Sequence, residues 1–323
     1  MGEAKFHLPG LRQNYPLNML IISLYEKNPE FFREGVKIAS CYGEFPTSLW
    51  NGGRPSYNDQ CSADYIVNVI KNLNAHGVSV RLTYTNMTIN ENECEDPYCN
   101  FCLDRLAEND LNAVIIFSPI LEKYIRNKYP NLKIVSSTCK RIRDIDKVNE
   151  ELEKPYHLVV LDYDFNNDFE SLAKINHHDR CEVLVNCLCI PNCPRRSAHY
   201  QNIAENQRLI LKNRHMPPDH HIPLKQWGCE YGEHNCYYTI QNYRTFIKPE
   251  DVVGKYSEEL DIHNFKIEGR TTGSIFSIVE TYSNYLIKPE YQGYVRIQLL
   301  NNLRANNIIA FRKPKPEPFI MPQ

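Results

Sequence analysis

Short apolar, β-branched runs alternate along this chain with segments whose apolar positions recur every three or four residues. The runs at 36–41, 78–85, 113–118, 132–137, 157–163 and 182–188 read as buried strands. Segments 63–74, 98–108, 121–128, 148–153, 169–175 and 200–211 read as the helices that follow them, and an amphipathic helix over 17–33 precedes the series. Strand and helix in strict alternation give βαβ units and a parallel sheet. Six units before residue 215 are more than an open sheet needs, and they predict an α/β fold of the TIM-type (β/α)8 barrel class. The last two strands are expected near 237–240 or 245–247, and near 264–267; 274–286 would be the last barrel helix and 295–303 a C-terminal helical extension. The expected organisation is an N-terminal helical segment (1–35), the barrel (36–287), and a C-terminal helix with a Pro-rich tail (288–323). Segment 213–236, rich in Cys, His and Pro, breaks the rhythm and reads as a long loop on the catalytic face.

Composition narrows the class. With 42% apolar and 24% charged residues the chain is of ordinary globular type, and its net charge of −2 argues against a dominant nucleic-acid footprint. Residues 1–13 contain no signal-peptide core, and the apolar run at 17–24 is too short to span a bilayer, so no membrane role and a cytoplasmic location are expected. Twelve cysteines in such a chain read as thiols or metal ligands rather than as a disulfide framework. Cys41, Cys61, Cys139 and Cys181 are expected to be buried as small apolar residues.

A barrel gathers its chemistry at the C-terminal ends of its strands. Those ends carry Ser40 and Cys41, Tyr84 and Asn86, Ser118, Ser137 and Thr138, Asp162 and Asp164, the stretch from Asn186 to Cys193, and Glu268 to Arg270. Ser118, Ser137 and Thr138 suit helix N-caps as well as pocket linings. Tyr84, Asn86, Asp162, Asn186, His199 and Tyr200 are candidates to face the pocket.

Cys189 and Cys193 follow the sixth strand-like run, where Pro191 and Pro194 force a turn; Cys229 and Cys236 come some forty residues later. Four thiolates can hold an iron–sulfur cluster or zinc. Zinc usually takes two tight CxxC knuckles, whereas the gaps here are three and six residues, which suits the larger cluster and leaves zinc as the alternative. Cys187 is a substitute ligand, and His199, His215, His220, His221 and His234 keep a mixed Cys/His zinc site open. A second group, Cys94, Cys99 and Cys102, has the opening spacing of a two-iron site but no fourth cysteine. Cys99 and Cys102 fall three apart on an expected helix, which favours a common buried face.

In Phe265-Lys-Ile-Glu-Gly-Arg270, Lys266, Glu268 and Arg270 project to one face of a strand, with Phe265 and Ile267 on the other. Such charges in a barrel must be paired, and a Lys–Glu–Arg stack at the mouth can pair internally while Arg270 grips a carboxylate or phosphate. The same text, with Ile247-Lys-Pro-Glu-Asp-Val252 upstream and Tyr282 and Tyr285 in the helix beyond, resembles the signature end of the collagenase-like peptidase family U thirty-two. The passage Val-Asn186-x-Leu-Cys189 is also similar, and Cys193, Cys229 and Cys236 fall in the order of that family's other cysteines. The resemblance implies a (β/α) barrel with a [4Fe-4S] cluster on Cys189, Cys193, Cys229 and Cys236. It also implies oxygen-independent hydroxylation of RNA bases or quinone precursors, with prephenate as oxygen donor.

The expected function is therefore an iron–sulfur redox enzyme modifying a small or nucleic-acid-linked substrate, with Arg270, Glu268, Lys266 and Asn186 as catalytic residues and a small anionic co-substrate. RNA or a partner protein are the expected macromolecular partners; Arg195, Arg196, Arg208, Lys212 and Arg214 offer a basic strip. The rivals are a peptidase-like hydrolase, for which no Gly-x-Ser-x-Gly elbow or His-Glu-x-x-His helix is present, and a metal-stabilised, non-catalytic binding protein.

Overall fold

Eight parallel strands close into a barrel in the computed structural model, which describes residues 2–46, 48–52, 60–231, 237–269 and 275–309. The strands are β1 (Ala4–Pro9), β2 (Val36–Gly43), β3 (Ser79–Tyr84), β4 (Ala113–Ile116), β5 (Lys133–Ser136), β6 (Leu158–Val160), β7 (Cys181–Leu184) and β8 (Asn264–Lys266). Each pairs with the next, and β8 returns to β1, with Lys5 opposite Asn264 and His7 opposite Lys266. Helices α1 (Tyr15–Lys27), α2 (Ala63–Ala75), α3 (Pro97–Leu106), α4 (Pro119–Lys128), α5 (Ile145–Leu152), α6 (Phe169–Leu172) and α7 (Arg196–Asn213) follow the first seven strands in turn. A short α8 (Tyr237–Ile240) and a π-helical stretch (Val252–Glu259) precede β8, and α9 (Ile275–Leu286) and α10 (Gln292–Ala305) complete the chain.

Local chemistry sets these boundaries. In α2, Ile66, Val69, Ile70 and Leu73 make one buried stripe, and the Ser62 side chain accepts from Tyr65 N–H to cap its start. Its end is a Schellman turn: Gly77 (φ +69) donates to Asn74 C=O and Val78 donates to Leu73 C=O, both at 3.0 Å. Asp96, Ser118, Asp144 and Asp168 cap α3, α4, α5 and α6 in the same way.

Alternation along the strands separates two cores. Phe6, Leu8, Val80, Leu82, Val114, Val183, Phe265 and Ile267 face the helices, as expected for Phe265 and Ile267. The barrel interior is apolar on one side, with Ala113, Ile115, Val135, Leu158, Val160 and Leu184. Toward β1, β3, β7 and β8 it is charged. Glu182, wholly buried, accepts from Arg81 Nη1 at 2.6 Å through Oε2 and lies 3.1 Å from Lys266 Nζ through Oε1. His7 lies within the same group: Nε2 is 3.3 Å from Asn264 Oδ1 and 3.4 Å from Glu182 Oε2, and Nδ1 is 2.8 Å from Ser40 Oγ. Two acceptors on the Nε2 side assign the proton there, so Nδ1 accepts from the Ser40 hydroxyl.

Two expectations are corrected here. The barrel does not begin at residue 36, because β1 lies inside the segment expected to be helical alone, and both its edges are needed for closure. Residues 237–240 form a helix and 245–247 no strand, because β7 pairs directly with β8 (Glu182 opposite Asn264), leaving no slot between them. The remaining expected strands and helices are present, with bounds shifted by a few residues.

Candidate functional site

The mouth of the barrel is lined by Tyr42, Thr83, Ser137, Thr138, Cys139, Arg196, Tyr200, Lys266 and Glu268, among others. Strand geometry aims Lys266 inward, where its ammonium sits 4.2 Å above the Tyr42 ring, and the Tyr42 hydroxyl donates to Ile267 C=O at 2.6 Å. Glu182, rather than Glu268, is thus the carboxylate that neutralises Lys266. Glu268 sits one step further out. Its Oε2 accepts from Leu188 N–H at 2.9 Å, and its Oε1 is 3.8 Å from Arg196 Nη2. Asn186 is a clamp between strand ends: Nδ2 donates to Glu268 C=O at 3.0 Å, and Oδ1 accepts Glu268 N–H at 2.7 Å. It holds Glu268 in place.

Arg196 was expected on a surface strip. It is 8% exposed, and its guanidinium lies over the rings of Tyr200 (4.7 Å) and Tyr163 (5.4 Å), with Nε donating to the Tyr200 hydroxyl at 2.9 Å. Burial opposes its charge, but Tyr200, Cys187 and Glu268 outweigh that and hold it firmly protonated. The helix that carries it starts three residues past Cys193, and Arg196 and Tyr200 stand four apart on one face. That i,i+4 Arg–Tyr pair was the available sequence signal. Arg208 is likewise taken, by Glu93 and Thr88.

Three thiols meet the inner core at this rim: Cys187, Cys189 and Cys193. Cys187, Cys189 and Cys193 are near neighbours in that one buried cluster. Burial raises the pKa of Cys187 well above the ordinary thiol value and raises that of Cys189, while Arg196 pulls both the other way. The turn between them is fixed by Asn192, in the left-handed region (φ 54), whose N–H donates to Asp164 Oδ1 at 2.7 Å. Asp164 and Asp162 in turn hold Arg141 at 3.3 and 3.0 Å.

Cys229 is brought toward the same rim by its neighbour, since Gly228 C=O accepts from Arg195 Nη1 at 2.8 Å. Arg195 also covers the Trp227 ring, on which His199 stacks at 5.0 Å. Cys236, Arg270 and His234 lie outside the described residues. Among the described residues no three His, Cys, Asp or Glu side chains converge as a ready-made ion site, and no disulfide joins described cysteines.

Most other candidates fall elsewhere. Tyr84 packs edge-on to Trp50 in the outer core, Asn86 binds Leu49 C=O, and Asp162 serves Arg141. Ser118 is a cap only, whereas Ser137, also a cap, and Thr138, which donates to Leu161 C=O, do line the mouth. Cys99 and Cys102 are core residues of α3; Cys99 Sγ is 3.1 Å from Ser48 Oγ. Cys41 and Cys181 are buried as expected, whereas Cys61 and Cys139 are half-buried, Cys139 in the mouth. Glu44, wholly buried where β2 ends and accepting from Thr83 Oγ1 at 3.1 Å, gave no sequence signal at all.

The fold and site define a (β/α)8 barrel whose mouth combines paired cations, tyrosines and the half-buried thiol of Cys139, with three buried thiols near Arg196. No protein-family model and no curated protein matches the chain. Among solved structures it is similar to "The Structure of the U32 Peptidase Mk0906", at 15% identity and a TM-score of 0.49, over 83% of this chain and 93% of that one. No helix among the described residues is long and apolar enough to cross a membrane.

Proposed function

We propose that this chain is a thiolate-metal enzyme, with a [4Fe-4S] cluster as first choice and zinc as alternative, acting on a small anionic or nucleic-acid-linked substrate at the barrel mouth. The observation that carries this reading is the buried grouping of Cys187, Cys189 and Cys193 beside Arg196, which also lines the mouth with Tyr200 and Lys266. The donor chemistry suits such a group, because sulfur ligands in an apolar, arginine-flanked setting favour iron–sulfur or zinc binding. Cys189, Cys193 and Cys229 would hold it with Cys236, and Cys187 stands in reserve. A bound cluster would supply one-electron redox capacity beside the pocket, as oxygen-independent hydroxylation requires.

The chain's own residues bind and orient. Arg196, preformed by the Tyr163 and Tyr200 rings, presents a guanidinium able to form two charge-assisted bonds to a carboxylate or phosphate. Lys266 keeps a second positive charge on the opposite wall, held in place by Glu182 and Tyr42. Glu268 fixes the cysteine loop through Leu188 and sets the angle of Arg196. The peptidase reading gains nothing here, since no histidine is among the described residues lining the mouth.

The test is anaerobic purification followed by iron, sulfide and zinc analysis of wild type, Cys189→Ser and Cys193→Ser. Iron with sulfide, lost in both variants, and a reducible chromophore perturbed by prephenate or a nucleotide support the proposal. Stoichiometric zinc without sulfide removes the redox part, and no metal in any preparation removes the whole.

A further inference from the structure

The opposite end of the barrel holds a larger cavity, about 530 Å³, where the strands begin. Its wall includes Lys5, Ser79, Arg81, His157 and Arg180, with Asp179 as the one carboxylate among them. Two polar groups in that wall are buried without a partner: Ser79 Oγ and Arg81 Nε, on side chains 7% and 5% exposed. Both belong to β3 and stand two residues apart, so they face the same way. A buried donor left without an acceptor is costly, and natural interiors seldom keep one except where something else supplies the acceptor.

The charges point to what that acceptor is. Arg81 has Glu182 through Nη1, but Glu182 is shared with Lys266, so one carboxylate serves two cations. Lys5, paired with Glu3 at 3.1 Å, and Arg180, held by the Lys154 and Tyr156 carbonyls, bring two further cations to the same wall beside Asp179. His157 stands in this setting: burial first, then Arg81 and Lys133, push its pKa down to about 4.

We infer that this cavity is a second, non-catalytic binding site for a small oxyanion, a phosphorylated or carboxylated metabolite. Its oxygens would accept from Ser79 Oγ and Arg81 Nε and be flanked by Lys5 and Arg180. The volume admits more than a bare inorganic ion. The inference does not rest on any metal at the mouth.

Calorimetric titration of the full chain at low ionic strength with inorganic phosphate and with succinate, against matched chloride, tests it. Saturable one-to-one binding of phosphate alone assigns a phosphoryl ligand, of succinate alone a carboxylate, and of both an oxyanion site without preference; each supports the inference. Lys5→Gln, on a stem that is 42% exposed and so leaves the core intact, should weaken binding about tenfold, and Ser79→Val should do the same by blocking the wall. Arg196→Gln removes the mouth's own anion grip and so isolates this site: the phosphate or succinate binding that remains in that background should still be weakened by Lys5→Gln and by Ser79→Val. No saturable binding of either anion, binding insensitive to both Lys5→Gln and Ser79→Val, or binding abolished by Arg196→Gln would overturn it.

Discussion

Leu188 N–H donates to Glu268 Oε2 at 2.9 Å, so the cysteine loop after β7 is fastened to the end of β8 by one charge-assisted bond. Glu268→Ala removes the acceptor of this half-buried bond and takes the carboxylate from Arg196. The expected loss is about 1–3 kcal/mol of unfolding free energy, measured by urea titration. Glu268→Gln keeps an acceptor oxygen and should lose less than half as much; equal losses would show that charge, not the bond, is what matters there.

The Arg81–Glu182–Lys266 group predicts an asymmetry. Glu182→Gln strands two buried cations and should cost about 3–5 kcal/mol in urea unfolding. A triple replacement by apolar residues of similar volume (Arg81→Met, Glu182→Leu, Lys266→Met) should be much nearer to wild type, because it removes the desolvated charges together.

Acid should weaken the fold in two stages. Burial, then the Arg81 charge, hold His7 neutral with a pKa well below 6.5, so the unfolded chain takes up a proton there first. Stability therefore falls as pH drops below about 6.5, with a slope of up to about 1.4 kcal/mol per pH unit from this one group. Glu151 acts in the same direction at lower pH. Despite burial, bonds from Lys140, Lys154 and Ser136 lower its pKa to about 2, so its contribution is complete above 4.5 and disappears between 4.5 and 2. His157, lowered to about 4, acts over the same window, so unfolding free energies from pH 8 to 4 should show the first stage roughly halved in His7→Gln; an unchanged slope would mean that His7 is not a proton acceptor.

Thiol burial predicts an order of alkylation. In metal-free protein, limiting iodoacetamide followed by peptide mass spectrometry should label Cys61, Cys139 and Cys229 ahead of Cys41, Cys99, Cys102 and Cys181. Because Cys139 lines the mouth, an anionic ligand held by Arg196 should slow its labelling and leave Cys61 unaffected. Equal protection of the two would place the ligand elsewhere.

Much of the barrel was legible because strands such as β4 (Ala-Val-Ile-Ile) and β6 (Leu-Val-Val) are continuous apolar runs, the signature of a sheet covered on both faces. β1 was not. Its text, Ala4-Lys-Phe-His-Leu-Pro9, alternates: Ala4, Phe6 and Leu8 face the helices, while His7 joins the charged interior. A search for unbroken apolar runs passes over such a strand. The same polar interior explains the eighth-strand error, since a slot that β1 already fills was assigned to residues 237–247. Lys266 and Glu268, read from one face of the Phe265–Arg270 text, and Tyr200, read as a pocket candidate, all line the mouth. The partner of Lys266 could not be read, because Glu182 meets it only through barrel closure. Arg196 was misplaced for a related reason: a basic residue at a helix start looks solvated until two tyrosines from separate segments enclose it.

That closure also has a consequence in time. β1 leaves the ribosome well ahead of β8, which fills its second edge only roughly 260 residues later. At about 5–20 residues per second, the strand waits tens of seconds with one row of backbone donors and acceptors open to any passing strand. The positions that protect it in the interval are those that read least like a strand. Lys5 and His7 carry charge or polarity on its inward face, and Pro9 ends it without a donor. The features that hid β1 from a hydrophobic reading are those that keep a nascent chain from pairing with its neighbour on the same message.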